Sequence, residues 1–483
     1  MSTLYFVLIP LLASFLTPFF RDYLKYLSVA INLLLLLLAF SFIDKLPITE
    51  YISFDSPLSI SFVLDSASLF FIILFTLIML LFSLYQLQDK SQKDMFILTN
   101  MLLASVSGLV LSGDIFNIYI FFEIASITAY ILTSLNRDKK AYSGAIRYMI
   151  IGTIASIFLL IAIMTIYLNI GSLNLVTIGE QFSTIHLNTQ FLIILSLFIG
   201  FGIKAEIFPL NFWVVDIYQA SGNRVNALFS SILSKAYIFV FFHIAYILNV
   251  DAKYLGFLAI LGAVSFAIAE LSALTSRDIK RIFAYSTLGQ IGVLFIALSY
   301  GNVAVITGAI FLIALHSITK LMLFLSLDIL EQKFKSTSVE LFKQFQSPFL
   351  IIIFAIGFLS LLGLPPFGGF IAKLTILKGL ASLEAYLMIG VILTISLVEA
   401  VYFFRLLGMT RTLGNDGFSL ATFGTKVSDS KESHQRETVE IALLPKVLLA
   451  LMATAIIYFG LFPDILLAIS QSVATTLIGG ASV

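Results

Sequence analysis

FGIKAEIFPLNFW, residues Phe201–Trp213, lies in an apolar segment of membrane-spanning length and yet contains Lys204, Glu206 and Pro209. A lipid-facing lysine at mid-membrane costs about 3 kcal/mol even on a lenient insertion scale, so a lysine placed there implies a task inside the protein. Proline has no backbone N–H to continue a helix, and membranes tolerate the resulting break only inside protein or beside a wet cavity. A buried charge beside a broken helix marks an ion pathway in secondary transporters. The stretch therefore points to an all-α membrane protein with a charged interior.

Composition agrees with that reading. The 483 residues are 60% hydrophobic and 11% charged, with a mean hydropathy of +1.05. Apolar runs of about 18 or more residues recur throughout, as in a polytopic helical protein of the lipid bilayer. The net charge of +1 predicts no nucleic-acid partner. No cysteine is present, which excludes disulfides and cysteine-ligated iron–sulfur or zinc sites. His186, His243, His316 and His434 are too scattered for a haem or metal cluster, so no cofactor or metal is expected. Met1–Phe20 lacks the basic start and small-residue cleavage site of a signal peptide and reads as the first span.

Fourteen spans are predicted, at 3–20, 24–43, 62–85, 96–112, 115–134, 144–168, 190–216, 225–248, 254–275, 283–300, 303–327, 349–380, 384–406 and 444–470. Most of the 28 basic residues then fall in loops on one face, among them Arg21, Lys25, Lys90, Lys93, Arg137, Lys139, Arg224, Arg277, Arg281, Lys333, Lys343, Arg411, Lys426, Lys431 and Arg436. The other face holds only Lys45, Lys253 and Lys378. A miscount of one span would scramble this asymmetry. It makes the basic face cytoplasmic and puts both termini outside, in a multi-pass protein of the cell membrane.

Two predicted spans are overlong and punctuated. The seventh is broken near Pro209; the twelfth contains LLGLPPFGGFIAK, Leu361–Lys373, with Pro365, Pro366, Gly368 and Gly369. Five spans separate the breaks in order, which predicts two five-helix blocks of inverted topology. The domains read as 1–95 (three helices), 96–250 (first repeat), 251–410 (second, inverted repeat) and 411–483 (a loop and the last helix). The polar stretch Thr412–Thr438 reads as a flexible cytoplasmic loop without visible chemistry.

Ionisable residues recur inside the spans: Glu123 in the fifth, Lys204 and Glu206 in the seventh, Lys235 and His243 in the eighth, Glu270 in the ninth. His316 and Lys320 stack four residues apart in the eleventh, Lys373 follows the Pro365–Pro366 break, and Glu399 lies in the thirteenth. Each has a bland alternative. A neighbouring hydroxyl could hold Glu270 or Glu399 neutral, His243 could be a packing histidine, and Lys373 could snorkel. Glu123, Lys204 and Lys235 could form structural ion pairs, but apolar replacements often serve stability as well. Lysines on four separate helices favour a polar line along the middle of the membrane. A Glu123–Lys204 pair would act as a switch, since a neighbouring carboxylate favours a charged lysine and burial opposes it. His316 suits a step between lysines.

With these residues in place, the sequence resembles the antiporter-like membrane subunits shared by respiratory complex I, membrane-bound hydrogenases and Mrp-type sodium/proton antiporters. The resemblance covers spans three to thirteen. Its carriers are Glu123, the Lys204–Pro209–Trp213 spacing, ILSK (Ile232–Lys235), RDIKRIFAYSTLGQIG (Arg277–Gly292), ALHSITKLMLF and GLPPFGGFIAK. It implies fourteen helices with inverted five-helix repeats, and proton translocation along a hydrated axis through Glu123, Lys204, Lys235 and Lys373, with His316 and Lys320 at polar positions. Asn211, WVVD (Trp213–Asp216), SGNRV (Ser221–Val225) and the extra acid Glu206 depart from many relatives and tilt the reading towards hydrogenase-type or Mrp-type complexes. No long amphipathic helix is expected after the fourteenth span, which argues against an arm-bearing complex I subunit.

The reading is a non-redox, ion-translocating subunit of a multisubunit membrane complex. Its partners would be other membrane subunits, further antiporter-like ones included, with protons or sodium ions as cargo. An Mrp antiporter subunit without redox chemistry is the alternative on the same fold. A stand-alone solute carrier binding an anionic substrate at Pro209, and an inert scaffold, are the alternatives of other classes.

Overall fold

The computed structural model describes residues 2–17, 23–52, 60–88, 93–410 and 437–479. Arg21, Lys90, Arg411, Lys426, Lys431, Arg436, His434 and nearly all of the Thr412–Thr438 stretch lie outside the described residues.

The chain runs α1 (Tyr5–Phe15), α2 (Leu24–Phe40), β1 (Ile48–Ile52), β2 (Ile60–Leu64), α3 (Ser66–Tyr85), α4 (Lys93–Leu111), α5 (Ile115–Thr133), α6 (Lys139–Ile170), α7 (Leu175–Gln181) and α8 (Leu187–Lys204). It continues through α9 (Val214–Ala220), α10 (Asn223–Leu228), a π-helical turn at Phe229–Leu233, α11 (Ser234–Ile247), α12 (Ala252–Thr275), α13 (Ile279–Ser299) and α14 (Val303–Phe334). The last elements are α15 (Leu341–Gln344), β3 (Phe345–Gln346), α16 (Pro348–Leu362), α17 (Gly368–Ser382), α18 (Tyr386–Met409), β4 (Glu437–Thr438), α19 (Leu443–Leu461) and α20 (Asp464–Gly479). Among the described residues, 11 helices are long and apolar enough to cross a membrane. The chain is a multi-pass helical membrane protein.

Helix starts follow from short polar caps. Asp65, Asp114, Asp138, Asp251, Asp278 and Asn302 each accept a hydrogen bond from a first-turn amide, and these residues stand where the loops end. The 32-residue α14 is the centre of the molecule. It packs against α3, α10, α13, α16, α17, α19 and α20, and its side chains are buried from Val305 to Asp328.

Loops predicted to share a face meet in the structure. On the basic face Arg137 pairs with Asp94 at 2.6 Å, Arg281 with Asp216 at 3.4 Å, and β3 runs parallel to β4. On the other face β1 pairs antiparallel with β2, the Thr3 amide donates to Glu50 at 2.9 Å, and Phe62 bridges Ser112. These contacts support the span order independently of charge.

Both predicted breaks are present. Helix α8 stops at Lys204, earlier than Pro209 alone requires, because Glu206 turns into the left-handed region at φ 64°. Helix α16 ends on Gly363 at φ 75°, and α17 starts at Gly368. A side chain at Gly369 would collide with the Ser360 carbonyl, so the tight return demands glycine. The last predicted span, 444–470, needs correction: Pro463 divides it into α19 and α20. Gly460 packs against the backbone of Pro366–Gly368, which sets this third break against the twelfth-span break. Helix α20 therefore follows the break as a packed helix on α14 and α3.

Candidate functional site

Lys204 ends α8 with 2% of its surface exposed. Its ammonium donates to the Tyr130 hydroxyl at 2.9 Å and lies 4.6 Å from the ring centres of Tyr130 and Tyr148, and 5.8 Å from that of Phe122. Trp213 stacks on the far side of Tyr148 at 4.5 Å. Gly152 on α6 leaves the room: a Cβ there would sit 2.7 Å from the Lys204 nitrogen and inside the Tyr130 hydroxyl. The expected Glu123–Lys204 ion pair is not formed within 4 Å; instead Glu123 Oε1 is buried without a hydrogen-bond partner. Glu123 acts on Lys204 through space only. The rotation of α5 presents aromatic rings, rather than the carboxylate, to the end of α8.

Glu206 is buried in the gap between α8 and α9; its Oε2 has no hydrogen-bond partner among the described residues, and the nearest opposite charge acting on it is Lys235. Lys235 is 0% exposed and donates to the Ser230 carbonyl and, at 3.2 Å, to the Ser234 hydroxyl. Ser230 belongs to the π-helical turn, whose widened ladder leaves that carbonyl available to the ammonium. Next to it Ser231 and Ser317 exchange hydroxyl-to-carbonyl bonds of 2.9 and 2.7 Å, fastening the π turn to α14.

On α14 both nitrogens of the buried His316 lack a hydrogen-bond partner among the described residues, as does the Thr319 hydroxyl. Lys320 donates to the Phe283 carbonyl at 2.9 Å and to Ser286 Oγ at 3.0 Å. Nearby, the Tyr402 hydroxyl donates to Glu270 at 2.7 Å. Gly289 makes space for the Glu270 carboxylate. Lys373 then pairs with Glu399 at 3.1 Å, and Gln290 donates to the other Glu399 oxygen at 3.0 Å.

The structure thus brings Lys204, Glu206, Lys235, His316, Lys320, Lys373 and Glu399 into the buried interior. Lys373 does not snorkel; it donates to the Leu362 carbonyl, freed by the helix break, at 3.2 Å. Glu399 is held by a lysine and an amide rather than by a hydroxyl alone. His243 stands apart, edge-on to Phe239 at 5.3 Å. Pro209, Pro365, Pro366, Gly368 and Gly369 shape the two gaps. Residues absent from the sequence-based set are Tyr130, Tyr148, Ser286, Gln290 and Tyr402. Glu270 was visible as a charge in a span, but nothing in the sequence pointed to Tyr402.

Buried polar atoms without protein partners are few in native proteins and are ordinarily satisfied by water. Among the described residues they include Glu123, Glu206, His316, Thr319, Glu270 and Gln290. These groups stand on α5, after the end of α8, and on α12, α13 and α14, and they are proton donors and acceptors.

The chain as a whole is similar to known proteins. Residues 112–398 match the family model described as NADH:quinone oxidoreductase/Mrp antiporter, TM. The chain is 30% identical over 332 residues to an NADH-quinone oxidoreductase subunit of Desulforudis audaxviator, covering 66% of this chain and 65% of that one. It is also 30% identical over 369 residues to a Na(+)/H(+) antiporter subunit of Alkalihalophilus pseudofirmus, covering 74% of each. In structure it is similar to a chain of the membrane-bound sulfane sulfur reductase, an archaeal respiratory complex, with a TM-score of 0.89, 26% identity and coverage of 99% and 97%. A chain of the Mrp complex from Dietzia shares the fold, with a TM-score of 0.86, 20% identity and coverage of 99% and 97%.

Proposed function

Because this chain belongs to the NADH:quinone oxidoreductase/Mrp antiporter membrane family and is one of its antiporter-like subunits, we propose that it carries protons along its buried line of ionisable side chains. The observation behind this reading is the run of buried groups from Lys204 through Lys235, His316 and Lys320 to the Lys373–Glu399 pair. Desolvating that many charges is costly, and a purely structural core gains little from them. The proton passes from Lys204 and Glu206 to Lys235, then by way of His316 to Lys320, and through Ser286, Tyr402 and Glu270 to Glu399 and Lys373. The chain supplies no cofactor to this step. The energy comes from neighbouring membrane subunits, whose charge shifts act at Glu123.

The basic face is the cytoplasmic one and both termini lie outside, in a cell-membrane complex. The residues after α3 form two inverted five-helix repeats, 96–250 and 251–410. One residue offset separates Asp114 from Asp278, their bridge partners Asn174 from Ser338, and the starts of α6 and α14, both 32 residues long. The two clasps sit at opposite faces, as an inverted repeat requires.

The test is proton uptake by the purified complex in liposomes. Lys235→Ala and Lys320→Ala each lower coupled uptake at least about tenfold while the complex still assembles; full uptake in both variants refutes the relay. A second reading, sodium/proton exchange without redox chemistry, is favoured by the Na(+)/H(+) antiporter relative. Radioactive sodium efflux and the identity of co-purifying subunits decide between them.

A further inference from the structure

The expected carboxylate partner of Lys204 is out of reach, yet the ammonium is fully buried, which leaves its charge to be explained. Three aromatic faces surround it. Tyr130 and Tyr148 lie 4.6 Å away and Phe122 5.8 Å, all inside the distance at which a ring quadrupole attracts a cation. They come from two helices: Phe122 and Tyr130 stand two turns apart on α5, and Tyr148 faces them from α6 with its ring 4.8 Å from that of Tyr130. Trp213, just beyond the helix break, stacks on Tyr148 and donates its indole N–H to the Leu210 carbonyl at 2.9 Å, which fixes the box from behind. A side chain at Gly152 on α6 would strike both the ammonium and the Tyr130 hydroxyl. The box is a built cradle for a cation, not incidental packing.

We propose that Phe122, Tyr130 and Tyr148 form an aromatic box that holds Lys204 as an ammonium while Glu123 is disengaged. This deepens the relay reading and rests on it. The box changes what the Glu123 carboxylate does. When Glu123 swings away, Lys204 does not lose its proton at once, because the rings and the Tyr130 oxygen keep the charge. Lys204 is then a reservoir that discharges when Trp213 and Tyr148 shift with the α8–α9 gap. Tyr148 and Phe122 act as positioning residues, since neither can take a proton from the ammonium. The charged and titratable groups facing Lys204 are Glu123 and Tyr130 on α5 and Tyr148 on α6; Glu206 and Tyr237 lie on the side of Tyr148, and Lys235 beside Glu206.

The experiment measures proton uptake by the full complex in liposomes against pH for Tyr148→Leu, Tyr148→Phe and Glu123→Gln, with thermal unfolding as a check on folding. Leucine keeps an apolar side chain but removes the ring, so the charged lysine loses support, and Tyr148→Phe controls for the lost hydroxyl while thermal unfolding controls for the lost volume. The alkaline limb of uptake moves to lower pH by about one unit, a tenfold change in proton affinity. Tyr148→Phe keeps the ring face and restores the limb. An alkaline limb unmoved in a folded Tyr148→Leu complex, with Glu123→Gln shifting it, overturns the box and returns the charge to Glu123. Full uptake in Lys204→Ala at every pH would instead defeat the relay reading itself, whatever the box does. Gly152→Ala gives an independent arm: its Cβ displaces Tyr130 and the ammonium together, and it reproduces the Tyr148→Leu shift if the box holds the charge.

Discussion

Glu206 carries two costs at one residue. A non-glycine residue in the left-handed region loses about 1–3 kcal/mol, and its buried Oε2 finds no hydrogen-bond donor. Glycine would remove both. Glu206→Gly is therefore expected to raise the unfolding temperature of the complex while lowering proton uptake, a separation of stability from activity that a melting curve and a transport assay on one preparation would show. A lowered melting temperature would mean that the carboxylate is structural. The Lys373–Glu399 pair behaves in the opposite sense. Glu399→Leu strands a buried ammonium and costs about 3–5 kcal/mol, whereas the double variant Lys373→Met/Glu399→Leu returns close to the starting stability. Denaturant unfolding of the two single variants and the double one closes that cycle.

At the scale of elements, what could be read from sequence was charge and punctuation. Lys204, Lys235, Lys320 and Lys373 stand out because nothing else in an apolar helix resembles them, and the prolines mark the gaps between α8 and α9 and between α16 and α17. The third break was missed although Phe462-Pro463-Asp464 has the same punctuation, since an apolar run of ordinary span length hid it. Which side chain meets which depends on helix rotation, and α5 shows how much that matters. A turn of that helix decides whether Lys204 sees Glu123 or Phe122 and Tyr130, and phenylalanine and tyrosine are too common in this chain to flag either outcome. The β1–β2 hairpin was unread for a similar reason: a short strand beside a predicted span looks like the start of that span. Its Glu50 ties down the start of the chain. Burial alone would push this carboxyl up, but hydrogen bonds from the Ser2 hydroxyl and from the Thr3 amide and hydroxyl together hold it below the ordinary value of 4.5. A lowered value means that the tether adds stability above the unfolded carboxyl's titration and loses it as the pH falls through the folded one. Hydrogen exchange at the Thr3 amide, corrected for its intrinsic rate, is expected to stay slow at neutral pH and to quicken below pH 4.5.

Across the whole molecule, the two halves are joined at the middle and at the basic face. In the middle, Ser231 and Ser317 exchange their bonds beside Lys235 and His316. At the basic face, Arg224 at the start of α10 pairs with Asp328 on α14 at 2.9 Å, with 12% and 11% of their side chains exposed. Tyr85 from α3 and Gln332 also donate to Asp328, at 3.0 and 2.7 Å. One turn on, Glu331 receives Asn223 and Lys280, both at 2.7 Å. A relay that runs sideways through both halves works only if they keep register, and this network is what resists sliding at that end. Asp328→Ala leaves a nearly buried guanidinium without its carboxylate, so about 3–5 kcal/mol of stability is lost. Glu331→Gln keeps one acceptor for Asn223 but turns an amide NH2 towards the nearly buried Lys280 ammonium, whose remaining contact is the Ser221 carbonyl at 3.3 Å, and it costs about 1–3 kcal/mol. Amide exchange in Asp328→Ala is expected to quicken at the basic-face ends of α10 and α14 while the Lys373–Glu399 region keeps its protection. Equal protection in variant and parent, with an unchanged unfolding midpoint, would show that the halves are held together elsewhere.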